Sequence, residues 1–167
     1  MQVINNLDQL AKILERKITA ILELVVKDVK NEIDETLNEY CEEYSPIYYH
    51  RTDQLRNCCK IGSPKINNGE ISINVYLDID SLKYKTRGAD SYKTVVAADA
   101  GLHGGWSVDD LSKGQVPWTD VGGNIGEKIG SGVQIWEEPM EEIIDNGKLI
   151  SMFKKHAKER GLYLKEI

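Results

Sequence analysis

Leu7, Ala11, Leu14, Ile18, Ile21, Leu22, Val25, Val29, Ile33, Leu37, Tyr40 and Tyr44 recur at steps of three and four, and no proline or glycine interrupts the run from Met1 to Tyr44. That spacing puts the apolar side chains on one face of an α-helix, predicted from about Asn6 to Glu43. Arg16, Lys27, Asp34 and Asn38 fall on the water-facing side. Asn6 suits an N-cap, and Gln9 three residues later completes a box-like start. About 38 residues at ~1.5 Å rise make a rod of roughly 57 Å. A globule of 167 residues is only about 40 Å across. The helix outruns its own domain. Exposed apolar stripes of that size are rare on monomers, so part of this one is expected to lie against another copy. Leu14, Ile18, Ile21, Val25 and Val29 are its candidate interface residues.

Pro46 stops the helix and pushes Ser45 toward extended geometry. In GEISINVYLDID, Ile71, Ile73, Val75, Leu77 and Ile79 alternate with Ser72, Asn74, Tyr76, Asp78 and Asp80, the pattern of a half-buried strand of about ten residues. Asn67, Asn68 and Gly69 before it are hairpin-turn chemistry. Residues Cys58 to Ile66 are therefore the expected antiparallel partner, with Pro64 suited to an edge or bulge. SYKTVVAADA fits a third strand or a short helix equally well. Nine of the fourteen glycines lie between Gly101 and Gly132, with Trp106 and Trp118 among them; long loops of this kind are commonly functional or mobile. WEEPMEEIIDNGKLISMFKKHAKERG returns to helical spacing. Ile143, Ile144, Leu149, Ile150, Phe153 and Ala157 mark its buried faces, Asp145-Asn146-Gly147 a break, and Gly161 the C′ residue. LYLKEI can close the sheet as a last strand. The expected fold is one α+β domain over residues 1–167. It comprises a long amphipathic helix (1–44), a hairpin and curved antiparallel sheet (45–100), a glycine-rich loop (101–132), and a C-terminal helix with a last strand (133–167).

The net charge of −6 argues against a duplex nucleic-acid surface as the main partner. Lys148 to Arg160 is the most basic stretch, but its spacing fits cations at a helix C-terminus. Three cysteines cannot make a disulfide framework, and with no export signal they point to a reducing compartment. No run approaches the roughly 20 apolar residues of a bilayer span. A soluble protein made in a cytoplasm is expected.

YSPIYYHRTDQLRNCC, residues 44–59, holds the residue types of a cysteine nucleophile: Cys58 or Cys59, His50 as base, and Asp53 nearby. No turn presenting a thiol at a helix N-terminus accompanies them. Vicinal cysteines also differ from the Cys-x-x-Cys spacing of a zinc site, so packing of a cysteine as a small hydrophobe is the favoured reading. Replacing both by serine is then expected to leave assembly largely intact. His103 in GLHGGW has no partner acid at helical or strand spacing, and His156 among Lys154 and Lys155 reads as solvated or as complementing the helix dipole. VGGNIGEKIGSG lacks the Gly-Lys-Ser/Thr ending of a phosphate loop and the G-x-G-x-x-G pattern. Glu137-Glu138 and Glu141-Glu142 read as the solvated N-terminal side of a helix. No metal and no cofactor is expected.

The order of parts carries a resemblance. A long amphipathic helix leads into SPIYYHRTDQLRNCC, a hairpin with its alternating strand, a glycine-rich middle with GLHGG, and EEPMEEIIDNGKLISMFKKHAKERG. This resembles the neck, or head–tail joining, family of tailed bacteriophages, the small tail-completion and connector proteins. There a helix runs into an Arg-Thr-Gly-x-Leu-Arg-x-Ser-like segment that opens a hairpin. Arg51, Thr52, Leu55 and Arg56 match it, while Asp53 stands where glycine is common and Cys58 where a small polar residue is. The resemblance implies an α+β protomer in a homo-oligomeric ring at the virion neck, assembled in the host cytoplasm, with no catalytic residues or cofactors. Its implied partners are copies of itself, the connector or stopper on the capsid side, and terminator or tube proteins on the tail side. DNA would pass through without being specifically bound, and no membrane is involved. Residues 44–59 then form a joint, with Thr52 or Asp53 capping a short turn through Leu55, braced by Tyr49 and Arg51. Trp106 and Trp118 offer a second partner surface, because aromatic residues are favoured interface anchors. The alternatives are another phage structural role, such as tail terminator or minor capsid protein, and a small Cys/His-dependent hydrolase or ligand-binding domain.

Overall fold

Asn6 begins the first helix as its side chain dictates: Oδ1 accepts a hydrogen bond from the Gln9 N–H at 2.8 Å, satisfying one of the four donors a helix leaves open at its start. In this computed structural model, which describes residues 6–42, 53–83, 91–99 and 133–164, helix α1 runs Leu7–Glu42. Its 36 residues make a rod of about 54 Å. Pro46 lies outside the described residues.

After the joint, a turn over residues 54–57 drives Leu55 into the core, held by Asn57 N–H to Gln54 O at 3.2 Å and Cys58 N–H to Leu55 O at 3.1 Å. The Gln54 Oε1 accepts from the Lys83 N–H at 2.5 Å, tying this turn to the far end of the hairpin. Asp53 enters the turn with φ 51°, a left-handed conformation that costs side-chain-bearing residues energy and costs glycine almost nothing. Aspartate tolerates it better than most residues. Asp53→Gly is therefore expected to raise stability by up to about 1 kcal/mol, and Asp53→Val to lower it by about 1–2 kcal/mol, read as shifts in the urea midpoint. The Arg56–Asp53 contact at 4.0 Å is too long and exposed to reverse that order.

Strands β1 (Cys59–Ile61), β2 (Lys65–Asn67), β3 (Glu70–Ser72) and β4 (Val75–Leu77) form one interrupted hairpin. β1 pairs antiparallel with β4, Cys59 opposite Leu77, and β2 with β3, Asn67 opposite Glu70. Asn68 and Gly69 both have positive φ, 49° and 82°, the signature of a type I′ turn whose twist matches the flanking strands. The expected ten-residue strand is split because the two arms differ in length. Residues 62–64 face residues 73–74, leaving one extra residue at Ser63–Pro64, where proline has no N–H to give a ladder. The outward–inward alternation nevertheless holds from Ile71 to Leu77. Leu162–Leu164 form no strand, so the expected last strand is absent from the described part of LYLKEI.

SYKTVVAADA resolves as helix: α2 spans Ser91–Asp99 and buries Val95 and Ala98. Its final residue caps the next element, because Asp99 Oδ1 accepts from the Trp136 and Glu137 N–H groups at 3.0 and 3.1 Å. Helix α3 (Glu137–Ile144) and helix α4 (Lys148–Glu159) meet at the predicted Asp145-Asn146-Gly147 break. α4 ends in a Schellman motif, with Gly161 (φ 71°) donating to Lys158 O at 3.0 Å and Leu162 to Ala157 O at 2.8 Å. The core gathers Ile21, Val25, Val29, Ile33, Leu37 and Tyr40 from α1, together with Leu55, Cys58, Cys59, Leu82, Ile135, Ile143 and Met152. The architecture is α+β: a long helix, a small antiparallel hairpin and C-terminal helices.

Candidate interaction surface

Helix α1 has two halves of different character. No residue of Leu7–Ala20 is buried, and Leu7 is 82% exposed, whereas Ile21, Val25 and Val29 are 0%, 3% and 6% exposed. The last three, expected at an interface, belong to the protomer's own core. α4 accounts for this, because it runs antiparallel to α1 and covers that part of the rod: Lys148 pairs with Glu32 at 2.6 Å and His156 with Asp28 at 2.8 Å. Leu14 and Ile18 remain half-buried on the uncovered stretch. Among the described residues, fourteen residues of rod, about 21 Å, hold no fully buried side chain, with Leu7, Leu10, Leu14 and Ile18 continuing the same stripe. Covering an exposed side chain such as Leu7 is worth roughly 1.5–3 kcal/mol, and a half-buried one correspondingly less.

The seam between α1 and α4 is polar and specific. His156, expected at the surface, is 7% exposed, with Nε2 2.8 Å from Asp28 Oδ2 and Nδ1 3.0 Å from Glu159 Oε2. A neutral imidazole has one N–H only, so two carboxylate partners call for the doubly protonated ring. The hydrogen bond to Asp28, then that to Glu159, holds the His156 pKa above its usual 6.5. Lys148 is likewise raised, first by its hydrogen bond to Glu32. These contacts fix how α4 is rotated. Met152, His156 and Ala157 face inward, and Ile144, Leu149 and Ile150, expected inside, are exposed.

Cys58 and Cys59 are 1% and 0% exposed and unbridged. Burial pushes the Cys58 thiol up to about 12, with Cys59 beside it adding to the effect, and the Cys59 thiol up to about 11. Neither is a thiolate at neutral pH, and the thiolate is the nucleophile. Both pack as hydrophobes, so serine at either position would bury a hydroxyl at about 1–3 kcal/mol rather than being silent. A chromogenic disulfide reagent is expected to react with half-buried Cys41 in the native protein and with Cys58 and Cys59 only on unfolding; rapid native labelling of either would contradict this. His50, His103, Tyr49, Arg51, Trp106 and Trp118 lie outside the described residues. Among those described, no group of three or more His, Cys, Asp or Glu is placed to hold a metal, and no helix is long and apolar enough to cross a membrane.

The YomN family model matches residues 6–159, the whole span from the N-cap of α1 to the end of α4. The chain belongs to the YomN family. That family name is phage-derived, and the chain is accordingly a phage-type protein. No curated protein and no solved structure matches it. YomN membership covers every helix and strand described here, so the uncovered rod and the α1–α4 seam both fall within the family's span.

Proposed function

We propose that this YomN-family chain is a structural virion protein of the head–tail connector, a ring component at the neck of a tailed bacteriophage. The observation that carries the reading is the apolar stretch Leu7–Ile18, where no side chain is fully buried, on a helix otherwise anchored in a core. A ring protomer needs a lateral surface it cannot satisfy alone. Asp53 adds support: its left-handed φ of 51° sits where the resembling neck segment commonly has glycine, the residue such a backbone favours. The reading assigns no catalysis and no cofactor. Partners are further copies, a connector or stopper on the capsid side and a terminator or tube protein on the tail side. An acidic ring, at −6 per chain, would let DNA pass without gripping it.

Negative-stain microscopy of the concentrated protein, with antibody labelling of intact particles, tests this. Closed rings and label at the head–tail junction are expected. Label confined to the capsid shell or the distal tail would move the chain to another structural role. A monomer without affinity for particles would overturn the reading.

A further inference from the structure

Two exposed, partly apolar patches toward the two ends of α4 carry opposite charge. At the α3–α4 elbow, Ile144 and Ile150 are 60% and 62% exposed and Leu149 is partly so, beside the exposed carboxylates of Glu141 and Asp145. α3 and the elbow carry five carboxylates, Glu137, Glu138, Glu141, Glu142 and Asp145, against the single cation Lys148. At the other end, Lys154, Lys158, Leu162, Tyr163 and Leu164 line an open groove. Its lining is part apolar and part cationic, and Tyr163 stands 79% exposed. Arg160 beside it is exposed as well.

Ile150 and Lys154 are one turn apart, but the Ile144–Leu149 side of the elbow and the Leu162–Leu164 side of the groove lie beyond the two ends of α4, whose 12 residues span about 18 Å. A rigid helix cannot bring its own ends together, so the two match only between chains. We infer that the groove lined by Lys154, Lys158, Leu162, Tyr163 and Leu164 receives the Ile144/Leu149/Ile150 elbow of a second copy, with Glu141 and Asp145 meeting the lysines. Aliphatic side chains in an aromatic-edged pocket supply the binding energy, and the rim charges set register and partner choice. The contact joins different patches on the two copies, so it is heterologous and propagates head-to-tail until it closes. This rests on the ring reading above and names a contact that makes the ring, distinct from the α1 stripe.

The test is a charge-reversal cycle on the full chain, followed by sedimentation velocity over a concentration series, with circular dichroism confirming the fold. Lys158→Glu and Glu141→Lys are each expected to weaken self-association by ~10-fold or more, since like charges across a contact repel. The two together in one chain should restore it. Raising salt from about 0.05 to 0.5 M should weaken the wild type more than the hydrophobic seat alone would predict. If the wild type assembles and neither single change matters, this contact is wrong while the ring reading stands. If single changes act but the combination fails to rescue, the groove serves another partner and the inference falls. A wild type monomeric at every concentration overturns both. Intact assembly with loss of DNA retention in Lys158→Glu would instead make the groove a phosphate site.

Discussion

Placing aspartates at Leu14 and Ile18 together is expected to abolish ring assembly while lowering the protomer's unfolding free energy by only about 1 kcal/mol. Both side chains are only half-buried in the protomer, so a carboxylate there still reaches water and costs the fold little. The same substitution one turn on, Ile21→Asp, puts a charge at a fully buried position. Burying an unpaired carboxylate costs several kcal/mol, comparable to a domain's whole stability, so that chain should not fold. The contrast between neighbours on one helix face is the diagnostic. Mass photometry with urea unfolding reads both halves. Loss of stability well beyond that in the Leu14/Ile18 variant would mean the protomer itself covers the stripe, and the oligomer reading would lose its main support.

The second large effect concerns His156. Removing it as His156→Ala deletes two charge-assisted hydrogen bonds and leaves Asp28 with only the Lys155 ammonium at 3.9 Å, an expected loss of about 2 kcal/mol near pH 6. The pH dependence has a definite sign. Because the folded-state pKa lies above 6.5, the protonated ring's contribution is fully present below about pH 6.5 and is lost as pH rises through the raised value. The gap between wild type and His156→Ala is therefore widest in mild acid and narrows in alkali. Denaturation at a series of pH values, with the imidazole followed by NMR, checks this; a gap that stays flat from about pH 5.5 to 9 would refute the double carboxylate clasp.

The long helix is legible in the sequence because a run without breakers and with one apolar face admits a single regular structure. Asn6, the Asn68-Gly69 turn, the Gly147 break and the Gly161 stop are equally legible, since each fixes local backbone geometry by its own chemistry. What the sequence conceals is rotation. Helix α4 is amphipathic at more than one angle, and Leu149, Ile150 and Phe153 compete with Met152, His156 and Ala157 for the inner face. The decision is made across space by Glu32 and Asp28 on α1, which draw Lys148 and His156 inward. The spacing of Met152 and His156, four apart and one position off Phe153 and Ala157, was the available signal. That same rotation determines which part of the α1 stripe is covered, so Ile21, Val25 and Val29 could not be told from Leu14 and Ile18 by periodicity alone. SYKTVVAADA is ambiguous for a different reason: a short segment rich in valine and alanine suits either structure, and packing of Val95 and Ala98 decides it.

The supernumerary residue at Ser63–Pro64 bears on how the gene can drift. Strand faces alternate, so a single added position carries everything beyond it to the opposite side. Here the kink absorbs that shift, so Ile66 still faces its cross-strand partner Ile71. Deleting one codon there should leave two residues facing two and join the pairs into one regular ladder with Ile66 still across from Ile71, whereas adding one would leave four against two and enlarge the kink. Among relatives, loss of a single residue between Gly62 and Lys65 is therefore the length change this arm should tolerate best.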